Sequence, residues 1–308
     1  MKILTSESEA TLNSDHMLHG LIHGDKFRCA VVVLTETVRE AQARHSTDPL
    51  ATIALGQALV ASALAGSNLK AVQEYVSLSF QGNGPLKTIV AEFMVPGLLR
   101  GFAAVPSLAH ILKSEDQVPR SVGEGLGIGT LTVRKSNPQD ATPYAAISVM
   151  VAGEIAEDMA SYYLESEQIP TALLLGVDLD TDGSVRGAGG ILIQKLGSED
   201  DVEELLIDLE GELKDIESIS KLVSAGQNAV QIFSKISAFA PTQVLEIKPL
   251  RFLCLCSRER MAANLSTLST HELKELYESV GKLEVTCVYC KNSHDFSLEE
   301  ILKPENGT

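Results

Sequence analysis

Leu50-Ala-Thr-Ile-Ala-Leu-Gly-Gln-Ala-Leu-Val-Ala-Ser-Ala-Leu-Ala-Gly66 is the longest apolar run of the chain. Its reading separates a membrane protein from a globular one. A bilayer span needs about 20 consecutive apolar residues, whereas this run is short, rich in alanine and broken by Thr52, Gln57 and Ser62. It opens on Thr47-Asp-Pro49, a soluble-helix start with proline where its missing N–H costs nothing. The run is therefore expected to be the buried central helix of a first domain. Strand signals surround it. Residues 75–80 and 86–93 flank Asn83-Gly84, and residues 128–133 and 144–151 flank a polar loop, both patterns of β-hairpins. A second helix is expected over about 154–166 and a final hairpin over 173–177 and 190–194. Helices with mainly antiparallel hairpins make an α+β fold.

The composition changes after Leu196. Acidic residues crowd positions 199–217, while Val202, Leu205, Leu206, Leu209, Leu213, Ile216 and Ile219 recur at helical spacing, which predicts an acidic amphipathic helix from about Val202 to Val223. Gly211 lies in its interior and near-neighbour carboxylates repel, so its stability must come from docking. Further helical turns are expected through Val230, Ile232, Phe233 and Ile236, before Pro241 and Pro249 lead into Phe252.

Beyond them lie Cys254-Leu-Cys256 and Cys287-Val-Tyr-Cys290, two close thiol pairs separated by a helical-looking stretch. Four soft sulfur ligands at one point select zinc over magnesium or calcium. The same thiolates are the form that peroxide attacks, so a metal site of this kind can also report oxidants. A purely structural zinc clip fits the same spacing. A bridge between Cys254 and Cys256 requires the chain to bend, and strained disulfides are the labile, regulatory kind. Arg258 and Arg260 stand where they can offset the excess negative charge of four thiolates. Cys29 lies in the apolar run Phe27-Arg-Cys-Ala-Val-Val-Val33 and reads as a core residue.

These residues resemble the heat shock protein 33 family of redox-regulated holdase chaperones. Phe252-Leu-Cys-Leu-Cys-Ser-Arg-Glu-Arg260, Leu268 and Glu284-Val-Thr-Cys-Val-Tyr-Cys290 are similar to its zinc-binding switch domain. Leu78-Ser-Phe-Gln-Gly-Asn-Gly-Pro85, Leu99-Arg-Gly101, Tyr163-Leu-Glu-Ser-Glu-Gln-Ile-Pro-Thr171 and Gly187-Ala-Gly-Gly190 resemble its N-terminal domain. The resemblance implies a chaperone core over residues 1–197, a helical linker over 198–249 that unfolds on activation, and a zinc-binding redox-switch domain over 250–308. It also implies one Zn2+ per reduced chain on Cys254, Cys256, Cys287 and Cys290, and disulfides Cys254–Cys256 and Cys287–Cys290 after oxidation. The implied partners are unfolding client proteins, a second copy of the chain when oxidised (a monomer when reduced), and ATP-dependent foldases that receive the clients. No enzymatic activity is implied.

Charge and motif content bound the alternatives. A formal net charge of −16 opposes nucleic-acid binding, which needs a basic surface, and no membrane association is expected. Acidic residues in Met-Lys-Ile-Leu-Thr-Ser-Glu-Ser-Glu-Ala10 stand where a signal peptide is apolar, and five cysteines, four of them in metal-type spacing, suit a reducing cytoplasm. Asp178-Leu-Asp-Thr-Asp-Gly183 begins like a calcium loop, but Gly189 replaces the twelfth-position glutamate and the flanks read as strands. Gly123-Glu-Gly-Leu-Gly-Ile-Gly129 leads into a strand and is expected to be a loop rather than a dinucleotide cradle. His271 and His294 flank the metal region as possible replacements for a sulfur. A thiol–disulfide oxidoreductase using Cys287 and Cys290, and a zinc-ribbon interaction module, are the competing function classes.

Overall fold

His16–Ile22 (β1) and Phe27–Val33 (β2) form a hairpin, followed by α1 (Thr35–His45) and α2 (Pro49–Ala65). The computed structural model describes residues 11–109, 118–139, 142–197, 213, 218–236 and 242–302. α2 is the expected central helix. The Asp48 side chain caps it by accepting the Ala51 N–H at 2.9 Å, and Pro49 fills the first turn. Ala51, Ala54, Leu55, Ala58, Leu59, Ala61 and Leu64 are at most 1% exposed. A helix apolar on every side needs cover on every side, and two sheets provide it.

The strands that follow are β3 (Tyr75–Gly82), β4 (Thr88–Met94) and β5 (Leu98–Ala103); after a short helix α3 (Val122–Leu126) come β6 (Gly129–Ser136) and β7 (Tyr144–Val149). Next are α4 (Ile155–Glu165), β8 (Thr171–Leu179), β9 (Val185–Lys195), α5 (Ile219–Ser224), α6 (Ala229–Ile236), β10 (Thr242–Pro249) and β11 (Arg251–Phe252). One sheet has the order β11-β5-β4-β3-β6-β7 and the other β10-β1-β2-β9-β8. α2 packs on β4 and β5 of the first and on β8 and β9 of the second. All of this belongs to one compact unit, Met1–Leu253, and a second unit comprises Cys254–Thr308.

Strand periodicity sorts β1, β2 and β9 between two cores. Met17, Ala30, Val32 and Leu192 face the cluster that includes α2, while Leu18, Cys29, Val31, Ile191 and Ile193 join Ile219, Val223, Ile232, Phe233 and Ile236 of α5 and α6 on the opposite face. Because side chains alternate along a strand, one sheet serves both. α5 sits on a floor of glycine. A Cβ at Gly176 would meet Ser220 Cβ at 2.9 Å, and one at Gly189 would meet Val223 Cγ2 at 2.9 Å, so only the missing side chains allow so close an approach.

The three expected hairpins are present: β3–β4, β6–β7 and β8–β9 are each antiparallel. One local expectation gains detail and one is corrected. The connection that holds Asn83-Gly84 spans residues 83–87 and is tied to residues 125–128: Asn83 Oδ1 accepts the Ile128 N–H at 3.1 Å, and the Gly84 N–H donates to Leu126 O at 2.7 Å. The Gly123–Gly129 stretch begins in α3 rather than a loop, with the Ser121 hydroxyl capping it by accepting the Glu124 N–H. The helix expected over 202–223 lies outside the described residues except at Leu213 and residues 218–223. Of the segment expected as a linker, the described parts are α5 and α6, which cover the five-stranded sheet, and β10, which pairs with β1.

The second unit contains α7 (Arg258–Leu265), α8 (Thr270–Val280), the hairpin β12 (Leu283–Thr286) and β13 (Ser293–Phe296), and α9 (Leu298–Leu302). Ser269 and Glu272 form a reciprocal capping box at the start of α8, and Gly281 ends it in the left-handed region. The helical stretch expected between the cysteine pairs is thus two helices.

Candidate metal centre

β12 and β13 pair from Leu283 opposite Phe296 to Thr286 opposite Ser293, which places Cys287-Val-Tyr-Cys290 at the hairpin tip. Lys291 takes φ of 61° to turn the chain back. Its N–H donates to the Cys287 carbonyl at 2.9 Å, and the Cys287 N–H donates to Asn292 O at 2.9 Å. On the other side Cys256 immediately precedes Ser257, whose hydroxyl caps α7 by accepting the Arg260 N–H at 3.3 Å. A hairpin turn and the segment leading into a capped helix therefore present the two pairs.

The four sulfurs all lie within 4.8 Å of one another. Cys254 Sγ is 3.6 Å from Cys287 Sγ, and Cys256 Sγ is 3.3 Å from Cys290 Sγ. A tetrahedron with metal–sulfur bonds of about 2.3 Å has edges of about 3.8 Å, so the donor set fits zinc in both chemistry and spacing. His271 and His294 are not part of the cluster. His294 sits across from Val285 on β13, and His271 is exposed beside Glu275.

The thiols are not equivalent. Burial acts to raise the Cys287 thiol, but the N–H groups of Cys290 and Tyr289 and the sulfurs of Cys254 and Cys290 outweigh it and hold the group below its ordinary value. Burial raises Cys256, and hydrogen bonding among the neighbouring sulfurs adds to the effect; burial also raises Cys290. Cys29 is fully buried in the core between β2 and α6 and its thiol is raised by desolvation. It is remote in kind from the cluster, as the sequence suggested.

The two arginines divide their work. Arg258 binds both carboxylate oxygens of Glu300 at 2.8 Å and lies over the Phe296 ring at 4.4 Å. Its charge is balanced by Glu300, which corrects the expectation that it offsets the thiolates. Arg260 donates from Nη1 to the Leu255 carbonyl at 3.0 Å and so holds the Cys-x-Cys backbone directly.

A family model described as Hsp33 protein matches residues 15–297. The chain belongs to the Hsp33 family. Curated relatives named 33 kDa chaperonin agree along their length. The one from Lacticaseibacillus paracasei is 34% identical over 291 residues, covering 94% of this chain and 97% of the relative. That of Symbiobacterium thermophilum is 35% identical over 295 residues, covering 96% and 98%. The crystal structure of the 33 kDa chaperonin (heat shock protein 33 homolog) from Thermotoga maritima superposes with a TM-score of 0.82 at 32% identity, covering 93% of this chain and 96% of that one. Membership of the Hsp33 family makes this a chaperone of the α+β fold described above.

The Hsp33 resemblance had singled out Gly187-Ala-Gly-Gly190 without a reason, and the fold supplies one: Gly187 and Gly189 seat α5, while Gly190 faces Val60 of α2. Sequence reasoning missed β10 as the partner of β1, since the alternation in Thr242–Pro249 is weak and its partner lies more than 200 residues upstream. Among the described residues no helix is long and apolar enough to cross a membrane.

Proposed function

We propose that this Hsp33-family protein is an ATP-independent, non-enzymatic holdase, inactive while reduced and zinc-bound and switched on by oxidation. The observation that carries the reading is the convergence of four thiols in a unit whose own core is Met261, Leu273, Leu283, Phe296 and Ile301. So small a core rarely holds a fold alone. Structural zinc contributes an apparent ~10–16 kcal/mol in small peptide modules. Held by Cys254, Cys256, Cys287 and Cys290, one Zn2+ would cross-link the hairpin tip to the start of α7 and keep all four sulfurs as thiolates.

Oxidation destroys that donor set. A thiolate attacks hydrogen peroxide, giving a sulfenic acid and hydroxide; the second thiol of the pair displaces the sulfenic oxygen as water and closes the disulfide. Two peroxides consume all four sulfurs. On the family resemblance the products are Cys254–Cys256 and Cys287–Cys290. Sulfurs of opposite pairs touch at 3.3 and 3.6 Å, whereas the proposed disulfides join the two sulfurs within each pair at about 2.05 Å, so forming them takes the sulfurs out of this four-membered arrangement. That requirement couples redox state to folding. Loss of the unit's fold then releases the linker, residues 198–249, and the apolar surface under α5 and α6 becomes available to unfolding clients. Dimerisation on oxidation, return to a monomer on reduction, transfer of clients to ATP-dependent foldases and a cytoplasmic location complete the proposal.

The Cys287 turn at a hairpin tip lacks the helix N-terminus that activates an oxidoreductase cysteine. The decisive experiment compares suppression of client light scattering by the reduced, zinc-loaded protein and by the peroxide-treated, zinc-free protein, without ATP. Activity confined to the oxidised form is expected. Equal activity in both forms, or catalytic turnover of a disulfide substrate, would overturn the proposal.

A further inference from the structure

A cavity of about 380 Å³ opens between the two sheets beside the C-terminal end of α2, lined by His19, Arg28, Lys135, Tyr163, Gln194 and Lys195 among others. The chain as a whole is strongly acidic, with a formal charge of −16. This wall is cationic. The carboxylate in it, Glu167, is already engaged by Lys135 and by the Tyr162 hydroxyl, which donates at 2.6 Å. Arg28 directs Nε and Nη2 at the neutral Oε1 of Gln194, its partner across β2 and β9.

No described carboxylate forms an ion pair with Arg28, and its Nη1 and the Nε2 of His19 are buried without a hydrogen-bond partner among the described residues. A desolvated guanidinium without a counter-charge is strongly unfavourable. Burial first, and then the charges of Arg28, Lys248 and Lys70, depress the His19 imidazole, with Glu246 opposing. Arg28 itself is lowered by desolvation, which Tyr163 and Glu167 only partly offset.

We propose that this cavity is a binding site for a small organic anion, whose oxyanion head group pairs with Arg28 and His19 and whose apolar body lies against Leu21, Leu69 and Ile169. The volume sets the size. It equals roughly a dozen waters at ~30 Å³ each, so inorganic phosphate underfills it and leaves room for an apolar body. Arg28 presents a planar fork that matches carboxylate and phosphate alike, and the identity of the head group is left to the experiment.

Full-length reduced protein is titrated by calorimetry with phenyl phosphate, benzoate, inorganic phosphate and the neutral benzyl alcohol at constant ionic strength, with thermal unfolding followed in parallel. One of the two aromatic anions is expected to bind saturably at one site per chain, and the tighter of the two identifies the head group. Inorganic phosphate should bind more weakly, and benzyl alcohol not at all. Arg28→Gln should weaken binding at least tenfold and His19→Leu severalfold; the second variant decides the matter if the first does not fold. Absence of saturable binding by both aromatic anions, or affinity unchanged in the folded variants, would overturn the site.

Discussion

Gly187→Ala tests whether the docking of α5, rather than the chemistry of the cysteines, is the bistable element. Gly187 pairs with Asp178 in the β8–β9 hairpin and its φ lies outside the left-handed region, so the backbone accepts alanine. The new Cβ would lie 2.5 Å from Ser224 Oγ, 2.7 Å from Ser224 N and 2.8 Å from Ser220 O. The hydroxyl can rotate away, although it then gives up its 2.7 Å bond to Asp178 Oδ2. The other two atoms are helix backbone and cannot. Ordinary contact begins at 3.4 Å, so α5 must lift by about 0.6–0.7 Å. Overpacking of this kind costs about 1–3 kcal/mol, which multiplies the undocked fraction about 5- to 150-fold. Amide hydrogen exchange over residues 218–236, measured in the reduced and zinc-loaded protein, reads that fraction. It should rise by the same factor while zinc content stays at one per chain, and the variant should suppress client light scattering under strong reductant. Unchanged exchange in a folded variant would refute the packing argument, and faster exchange with no chaperone activity would refute the coupling of docking to client capture.

Cys287→Ser should lose zinc on elemental analysis while Cys29→Ser retains it; full zinc retention by Cys287→Ser would remove the proposed ligand set. Peroxide with mild heat should give Cys254–Cys256 and Cys287–Cys290 on mass-spectrometric mapping, and a dominant Cys254–Cys290 bridge would contradict the switch. Acid should loosen α6 through His16, which is fully buried, donates from Nδ1 to Ser14 O at 2.6 Å and accepts the Ala229 N–H at Nε2 at 3.0 Å. Burial holds this imidazole below its usual value and only the Ser14 carbonyl opposes the shift, so its contribution to stability is present above a pH of about 6.5 and is lost as pH falls through the lower folded value. The protection of α6 amides, measured against their intrinsic exchange rate at each pH, should therefore fall as pH drops below about 6.5, and His16→Gln should flatten that part of the profile. The neighbouring Asp15 carboxyl is itself raised by burial, so the difference between the two proteins is the quantity that decides.

The sequence alone determined the elements whose signal is local. The alanine-rich run at 50–66 could only be a helix covered on all sides, because it has no polar face, and Asp48-Pro49 marked its start; the strand alternation on either side of the chain's turns gave three hairpins. The cysteine pairs were legible for the same reason: two short spacings restrict each pair to one point, and the chemistry of four thiols does the rest. Tertiary structure decided what depends on partners distant in the chain. β10 became a strand because β1 offered its edge, the 83–87 connection took its form from residues 125–128, and Arg258 turned from the thiolates to Glu300, 42 residues away. The glycines at 176, 187 and 189 are silent in sequence, since an absent side chain carries no pattern; they acquire meaning only when α5 is laid against the sheet. Likewise Arg28 is an ordinary basic residue until folding buries it opposite Gln194, where loss of solvent rather than residue type makes its charge consequential.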